Sequence, residues 1–199
     1  MDGMDLRDLA SAVAGASDGA VVITGPGAFS GALYAEVGER DGVLTNMELA
    51  YATALAHGIA IAAPARRVVA VEGDGSIIAA LGTLGTIARY ATPNLTVVVI
   101  VNGIYATGDN SVQALTGLGA DLGVVAQGLA WPAAQILRAS TADEAAAGLS
   151  RALGSPGPWL ILADVDAATY PKSKGRAKPG IDVVEAAVLL RRHLTGSPT

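Results

Sequence analysis

Two short polar segments, each following a largely apolar run, hold the side chains of this sequence that are best suited to chemistry. Gly73-Asp74-Gly75-Ser76 follows the run 68–72, and Asn102-Gly103 follows the run 95–101. A carboxylate and a carboxamide are both oxygen ligands, which a hard cation such as Mg²⁺ prefers. Glycine on both sides of Asp74 allows a phosphate group to approach the backbone closely. The two segments therefore predict a site for a metal ion and a phosphate-bearing ligand.

The elements around these segments predict that their polar side chains meet. Apolar residues recur at three- and four-residue spacing over 77–91 and predict an amphipathic helix, while 95–101 is almost wholly apolar, as in a strand buried on both faces. Two parallel strands joined by a right-handed helical crossover end at the same edge of a sheet. We therefore expect Asp74 and Asn102 to converge there.

Each segment taken alone is weak evidence for a ligand. A GDGS tetrapeptide is a common turn between a strand and a helix, and the sequence around it lacks both the third glycine of a dinucleotide fingerprint and the GK[ST] of a P-loop. The pair is more specific, because 25 residues separate Ser76 from Asn102 and an apolar run leads into each segment.

At these residues the chain resembles the thiamine diphosphate enzymes, whose diphosphate-binding signature is GDG followed some 25 to 30 residues later by asparagine. The common form has two adjacent asparagines, and Val101 stands here in the first of the two places. The resemblance implies thiamine diphosphate and Mg²⁺ as cofactors. It implies a metal held by Asp74, Asn102 and the backbone carbonyl of Ile104, and a diphosphate facing Gly73, Gly75 and Ser76.

The resemblance also gives a meaning to the segment ahead of the glycine turn. Residues 46–63 are predicted to form a long alanine-rich helix, on which Met47 looks like the bulky residue that supports the bent cofactor in decarboxylases and acetolactate synthases. The carbonyl of Thr45 would then accept a hydrogen bond from the aminopyrimidine. Glu48 either closes a capping box with Thr45 or places a carboxylate at the pocket, as a possible catalytic group. His57 is expected to be a packed or surface residue.

A polar, glycine-bearing loop follows Asn102. Small two-subunit members of the family have a tyrosine and a Gly/Ser/Thr/Gln-containing loop at this place, and the match is loose. It implies that Tyr105 contacts the cofactor and that Thr107 and Gln113 contact the substrate. A solvated loop is the equally weighted alternative.

Strand and helix patterns alternate along the whole chain and predict an α/β fold. Strands are predicted at 20–24, 43–45, 68–72, 95–101, 135–139 and 159–165, and helices at 6–16, 28–37, 46–63, 77–91, 121–130, 141–153 and 182–194. We expect a three-layer α/β/α domain with a mainly parallel sheet of roughly six strands, over residues 1–170. Residues 171–199 are expected to form a Pro/Gly/Lys-rich arm and a C-terminal helix.

Composition excludes several classes of function. A formal charge of −5 spread along 199 residues disfavours nucleic-acid binding, and the absence of cysteine excludes disulfides, thiolate metal sites and a cysteine nucleophile. No uninterrupted apolar stretch reaches about 18 residues, so no membrane span is predicted. The acidic N-terminal segment does not resemble a secretion leader, and we expect a cytoplasmic protein.

The glutamate that activates the cofactor in this family sits on a separate pyrimidine domain, for which this sequence has no room. The layout is similar to the β subunit of sulfopyruvate decarboxylases and the C-terminal half of phosphonopyruvate decarboxylases. The resemblance therefore implies a 2-oxo acid decarboxylase subunit, active only with a pyrimidine-domain partner in a hetero-oligomer, most simply a heterotetramer. Two alternatives stay open at this point: a carboligase of the acetolactate synthase kind, and a non-catalytic flavodoxin-like binding module.

Overall fold

A computed structural model describes residues 3–106, 112–170 and 180–196 of the chain. Its main sheet has six strands, all parallel, in the order β2-β1-β3-β4-β8-β7. A two-stranded antiparallel hairpin, β5 with β6, lies beside it. The strands are β1 Val21–Thr24, β2 Val43–Leu44, β3 Val68–Gly73, β4 Leu95–Val101, β5 Ile104–Tyr105, β6 Val112–Gln113, β7 Ile136–Ala139 and β8 Trp159–Asp164.

Helices cover both faces of this sheet, so the prediction of a three-layer α/β/α fold with a parallel six-stranded sheet is confirmed. The α-helices are α1 Leu6–Ala16, α2 Ala28–Val37, α3 Ala52–Ala62, α4 Asp74–Ala79, α5 Gly82–Tyr90, α6 Leu122–Gly128, α7 Ala142–Gly154 and α8 Val183–Thr195. No helix of the described ranges has the length and apolar character needed to cross a membrane.

Successive strand residues point to opposite faces, and this alternation builds two separate cores. Val22 and Val69 pack with α1, α2 and α7 on one face, whereas Val21 and Val68 pack with α3, α5, α6 and α8 on the other. Because the central strands are buried on both faces, their sequences are continuous apolar runs with little alternation.

Two predicted helices differ from the structure. The helix predicted over 77–91 is two helices, because Ala80 leaves the helical conformation (φ −125°, ψ 40°) and Gly82, a poor helix former, follows. The first of them already begins at Asp74, inside the predicted turn. The helix predicted over 46–63 begins only at Ala52, and residues 45–51 are irregular, with left-handed backbone at Asn46 (φ 63°) and Ala50 (φ 71°).

The C-terminal helix α8 packs against the edge of the sheet at β2. Leu190 is 5% exposed and belongs to the core on that face, and Ala186 and Leu194 pack beside it. Asp182 is the N-cap of this helix, and its side chain accepts hydrogen bonds from the amides of Val184 and Glu185 at 2.8 Å.

His57 lies in the middle of α3 and is 6% exposed. Its Nε2 is 2.9 Å from Oγ1 of Thr92, and its ring meets that of Tyr90 edge to face. Burial lowers the pKa of His57 below its usual value of about 6.5.

A lowered histidine pKa makes stability depend on pH in a fixed direction. The unfolded chain binds more protons at His57 than the folded chain does, so stability is lost as pH falls below 6.5. We expect the advantage of the wild type over His57→Gln in unfolding free energy to shrink between pH 7 and pH 5, measured by urea unfolding. An advantage that stays constant across this range would contradict the assignment.

Candidate functional site

A cleft runs along the carboxyl ends of the central strands. Its walls come from four segments that follow β1, β3, β4 and β8, together with Leu49. β2 lies on one side of β1 and β3 on the other, so the strand order reverses between β1 and β3. Ligands of open α/β sheets bind at such a topological switch point. The lining residues are Pro26, Gly27, Ala28, Phe29, Leu49, Gly73, Asp74, Gly75, Ser76, Ile100, Asn102, Ile104, Tyr105, Ala106 and Tyr170.

Asp74 sits at the floor of this cleft and is 1% exposed. Its Oδ1 accepts a hydrogen bond from the amide of Gly75 at 2.8 Å, and its Oδ2 accepts one from the amide of Gly103 at 2.9 Å and another from the hydroxyl of Thr116. Burial raises the pKa of the Asp74 carboxyl, and these hydrogen bonds offset the rise only in part. The carboxylate therefore lies in a place where a nearby positive charge would be favourable.

Asn102 lines the same cleft from the end of the neighbouring strand. β3 and β4 pair in parallel with Gly73 opposite Ile100, so both strands deliver their following residues to one edge. Oδ1 of Asn102 accepts a hydrogen bond from the amide of Ile104 at 3.1 Å.

Tyr105 closes one side of the cleft over the glycine turn. A methyl group added at Gly75 would come within 2.5 Å of Cε1 of Tyr105, and the tyrosine hydroxyl lies 3.5 Å from the Gly75 carbonyl. A side chain at position 75 would therefore displace the Tyr105 ring that packs on the glycine. Gly73 also lines the cleft, with no atom close to where its Cβ would be.

The segment 45–51 is anchored on both sides by hydrogen bonds from its backbone amides. Asn46 N lies 3.2 Å from Oγ1 of Thr24 and 3.1 Å from Oγ of Ser30, and the amide of Ala50 donates to Oγ of Ser76 at 2.7 Å. These tertiary bonds replace the helical ones, which is why the predicted helix does not form here.

The structure differs from the prediction in which residue of this segment reaches the cleft. Leu49 lines it, whereas Met47 packs against the core on one face of the sheet and Thr45 lines a separate surface groove beside α8. The predicted capping box of Thr45 and Glu48 is wrong, because the helix begins at Ala52. Glu48 is exposed, and its possible catalytic function stays a prediction.

Three further predicted site residues remain to be placed. Ser76 lines the cleft, but its hydroxyl bonds to Glu72 at 2.6 Å and to the amide of Ala50, so any diphosphate contact would come from its backbone. Gln113 is exposed on β6, where it pairs with Ile104. Thr107 lies outside the described residues.

The sequence analysis missed several residues of the site. Thr116 reaches Asp74 from a 3-10 helix, Leu115–Leu118, and Tyr170 lines the cleft from beyond β8. Neither has a local signal in the sequence. The glycine-proline-glycine turn at 25–27 follows a predicted strand just as the GDGS turn does, and its sequence fits a ligand loop, although a plain loop is the favoured interpretation.

The donor set fits a hard divalent cation. Among the described residues, no three His, Cys, Asp or Glu side chains cluster as metal ligands, so a metal in the cleft would be held by a mixed set of oxygens. Asp74 supplies a buried carboxylate and Asn102 a carboxamide, and oxygens of this kind suit Mg²⁺. A phosphate group would supply the remaining ligands.

Comparison with known proteins gives a consistent result. Residues 40–163 match the family described as thiamine pyrophosphate enzyme, C-terminal TPP binding domain. The chain is 32% identical over 143 residues to a phosphonopyruvate decarboxylase of Streptomyces viridochromogenes, covering 71% of this chain and 34% of the relative. It is 35% identical over 105 residues to a phosphonopyruvate decarboxylase of Streptomyces hygroscopicus, covering 52% and 25%.

Among solved structures, a Mycobacterium smegmatis protein described as thiamin diphosphate-dependent superimposes with a TM-score of 0.70. The match covers 82% of this chain and 32% of that one, at 22% identity, and supports the fold alone. The chain thus spans about a third or less of the length of these relatives.

Proposed function

This chain belongs to the thiamine pyrophosphate enzymes, and we propose that it is the diphosphate-binding part of a 2-oxo acid decarboxylase that works with a pyrimidine-domain partner. One observation carries the proposal: Asp74 and Asn102 line the same cleft from the ends of two adjacent parallel strands. A carboxylate and a carboxamide in that arrangement can share one Mg²⁺ ion and the diphosphate that the ion neutralises.

The residues of this chain would hold and orient the cofactor. Asp74 and Asn102, with the backbone carbonyl of Ile104, would bind Mg²⁺, while Gly73 and Gly75 keep side chains away from the diphosphate. When bound, thiamine diphosphate supplies the electron sink that allows a 2-oxo acid to lose carbon dioxide. The cleft lining near Leu49 and Ile104 would keep water from the bound cofactor.

We assign the support of the bent cofactor to Leu49 in place of Met47. Leu49 is on the cleft wall and 42% exposed, so a ligand can cover it. The residue after Leu49 is Ala50, and the φ of Ala50, 71°, lies in the left-handed region that favours small residues such as glycine. The carbonyl two residues before Leu49, that of Met47, would then face the aminopyrimidine.

Matched substitutions distinguish these two residues. We expect Leu49→Ala to lower the affinity for thiamine diphosphate about tenfold, since it removes apolar surface that the cofactor would bury. Met47→Ala should change the affinity by less than about twofold and mainly lower the free energy of unfolding. Calorimetric titration with Mg²⁺ and urea unfolding measure both quantities, and a reversed pattern would return the assignment to Met47.

The catalytic glutamate and part of the substrate pocket would come from the partner. Every strand of the main sheet in the described residues is part of one diphosphate-binding fold, and the matched regions cover 34% and 25% of the two curated relatives. We propose a hetero-oligomer, with phosphonopyruvate or sulfopyruvate as the class of substrate. The predicted Pro/Gly/Lys-rich arm at 171–179 lies outside the described residues, whereas helix α8 packs on the edge of the sheet at β2 as part of the same domain.

The proposal is tested by binding first and by turnover second. Titration of the full chain with thiamine diphosphate should give heat in the presence of Mg²⁺ and none in its absence with EDTA. Absence of Mg²⁺-dependent binding would overturn the proposal. With a pyrimidine-domain subunit added, carbon dioxide release from a 2-oxo acid should appear that neither chain gives alone, and an acyloin product instead of an aldehyde would make the pair a carboligase.

A further inference from the structure

Glu72 is a buried carboxylate that the proposed cofactor site does not use. It lies on β3 directly before the glycine turn and is 1% exposed. Its Cγ packs against Gly25, where an added Cβ would come within 3.1 Å. Other buried residues of the same strand, such as Val69 and Val71, are apolar, so an acid at this position needs a structural or functional reason.

In the described part of the chain the Glu72 carboxyl group has hydrogen-bond donors but no ion pair, since the one ion pair there joins Arg138 to Asp121. Oε2 accepts from the amide of Thr53 at 3.0 Å and from its hydroxyl at 2.5 Å, and Oε1 accepts from the hydroxyl of Ser76 at 2.6 Å. Burying a carboxylate is costly unless several donors meet it. These three donors come from two different elements.

The first element is helix α3, at its N-terminus. Thr53 is the second residue of the helix, and its amide is one of those that helical bonding leaves without a partner. Tyr51, at the N-cap position, makes no capping hydrogen bond with its side chain. Glu72 therefore caps the N-terminus of α3, although it lies 19 positions from Thr53 in the sequence.

The second element is the first turn of helix α4, which carries Ser76 and, through that residue, contacts the segment that holds Leu49. The hydroxyl of Ser76 donates a hydrogen bond to Glu72 and accepts one from the amide of Ala50 at 2.7 Å. One carboxylate thus joins the turn proposed to hold the diphosphate, the end of the segment 45–51, and the helix that follows it.

We propose that Glu72 is a positioning residue that fixes the distance between the diphosphate turn and Leu49. This inference rests on the proposed function, since it concerns the two ends of one extended cofactor. Glu72 would contact no part of the cofactor. It would act by holding the diphosphate-binding segment and Leu49 at a fixed distance, so that a ligand that contacts both obtains binding free energy from each.

The test compares a ligand that reaches both regions with one that reaches only the turn. The full chain with Mg²⁺ is titrated with thiamine diphosphate and, separately, with inorganic pyrophosphate. We expect Glu72→Ala to lower the affinity for thiamine diphosphate about tenfold or more and that for pyrophosphate less than about threefold. Glu72→Gln retains one acceptor oxygen and the side-chain volume, so it should recover most of the affinity for thiamine diphosphate. It also replaces the alanine variant in the test if that variant does not fold.

Asn94→Ala is the matched control. The Asn94 side chain bonds to the carbonyls of Ala60, Ala63 and Arg66, so it secures the other end of α3, away from the cleft. The control should lower stability and leave the ratio of the two affinities unchanged. Equal losses for both ligands in the Glu72 variants, or an unchanged ratio, would overturn the inference. A wild type that binds neither ligand would instead overturn the proposed function.

Discussion

Replacement of Asp74 by alanine is expected to lower the Mg²⁺-dependent affinity for thiamine diphosphate about 100-fold or more, roughly 2.7 kcal/mol. Asp74 is the one carboxylate that lines the cleft among the described residues, so no neighbouring side chain there can take over the charge. Burial away from water also raises the pKa of Asp74. A bound metal would favour the ionised form, so the affinity should fall as pH drops below the raised pKa.

Two variants separate the loss of charge from the loss of structure. Asp74→Asn retains the shape but not the charge, and should fall between the wild type and the alanine variant in affinity. Asp121→Ala removes an acid that likewise accepts two backbone hydrogen bonds, from the amides of Gly123 and Val124 at the start of α6, but lies outside the cleft lining. It should lower stability without changing cofactor affinity. Similar affinities for the wild type and Asp74→Ala would refute the metal site.

Replacement of Gly117 by alanine is expected to destabilise the chain by about 3 kcal/mol and to weaken Mg²⁺-dependent binding as well. A Cβ at Gly117 would overlap the carbonyl oxygen of Gly103, and two backbone segments would have to separate. Gly103 and Thr116 both donate hydrogen bonds to Oδ2 of Asp74, so the separation would act directly on the metal-binding carboxylate.

The control for Gly117 is a glycine with free space around it. Gly58 lies within α3 with no heavy atom within 4 Å of its Cβ position, and Gly58→Ala should raise stability by about 0.5–1 kcal/mol. Urea unfolding and titration with thiamine diphosphate and Mg²⁺ measure both effects. A Gly117→Ala variant as stable as the wild type would show that the two segments can move apart at little cost.

The fold was predictable because burial left a strong local pattern. The run from Leu95 to Val101 is apolar except for Thr96 because both of its faces are covered, and the polar residue that follows it marks the strand end. The same logic located Asp74 and Asn102, since the carboxyl ends of neighbouring parallel strands meet.

Residues held by distant partners were not predictable in the same way. Segment 45–51 has helical composition, yet its amides bond to Thr24, Ser30 and Ser76, which are remote in the sequence. The helix was therefore predicted six residues too early, and Met47 was assigned to the cleft in place of Leu49. Thr116 is 42 residues from Asp74, and only the folded chain brings them together.

The position of α8 against β2 has a consequence for handling the protein. β2 has two residues and borders β1 on one side only, so its other edge would offer unpaired amides and carbonyls to a strand of another molecule. The final helix shields that edge and buries Leu190 against it. A truncation that removes α8 would thus be expected to promote aggregation through edge pairing, and an affinity tag is better attached beyond this helix than substituted for it.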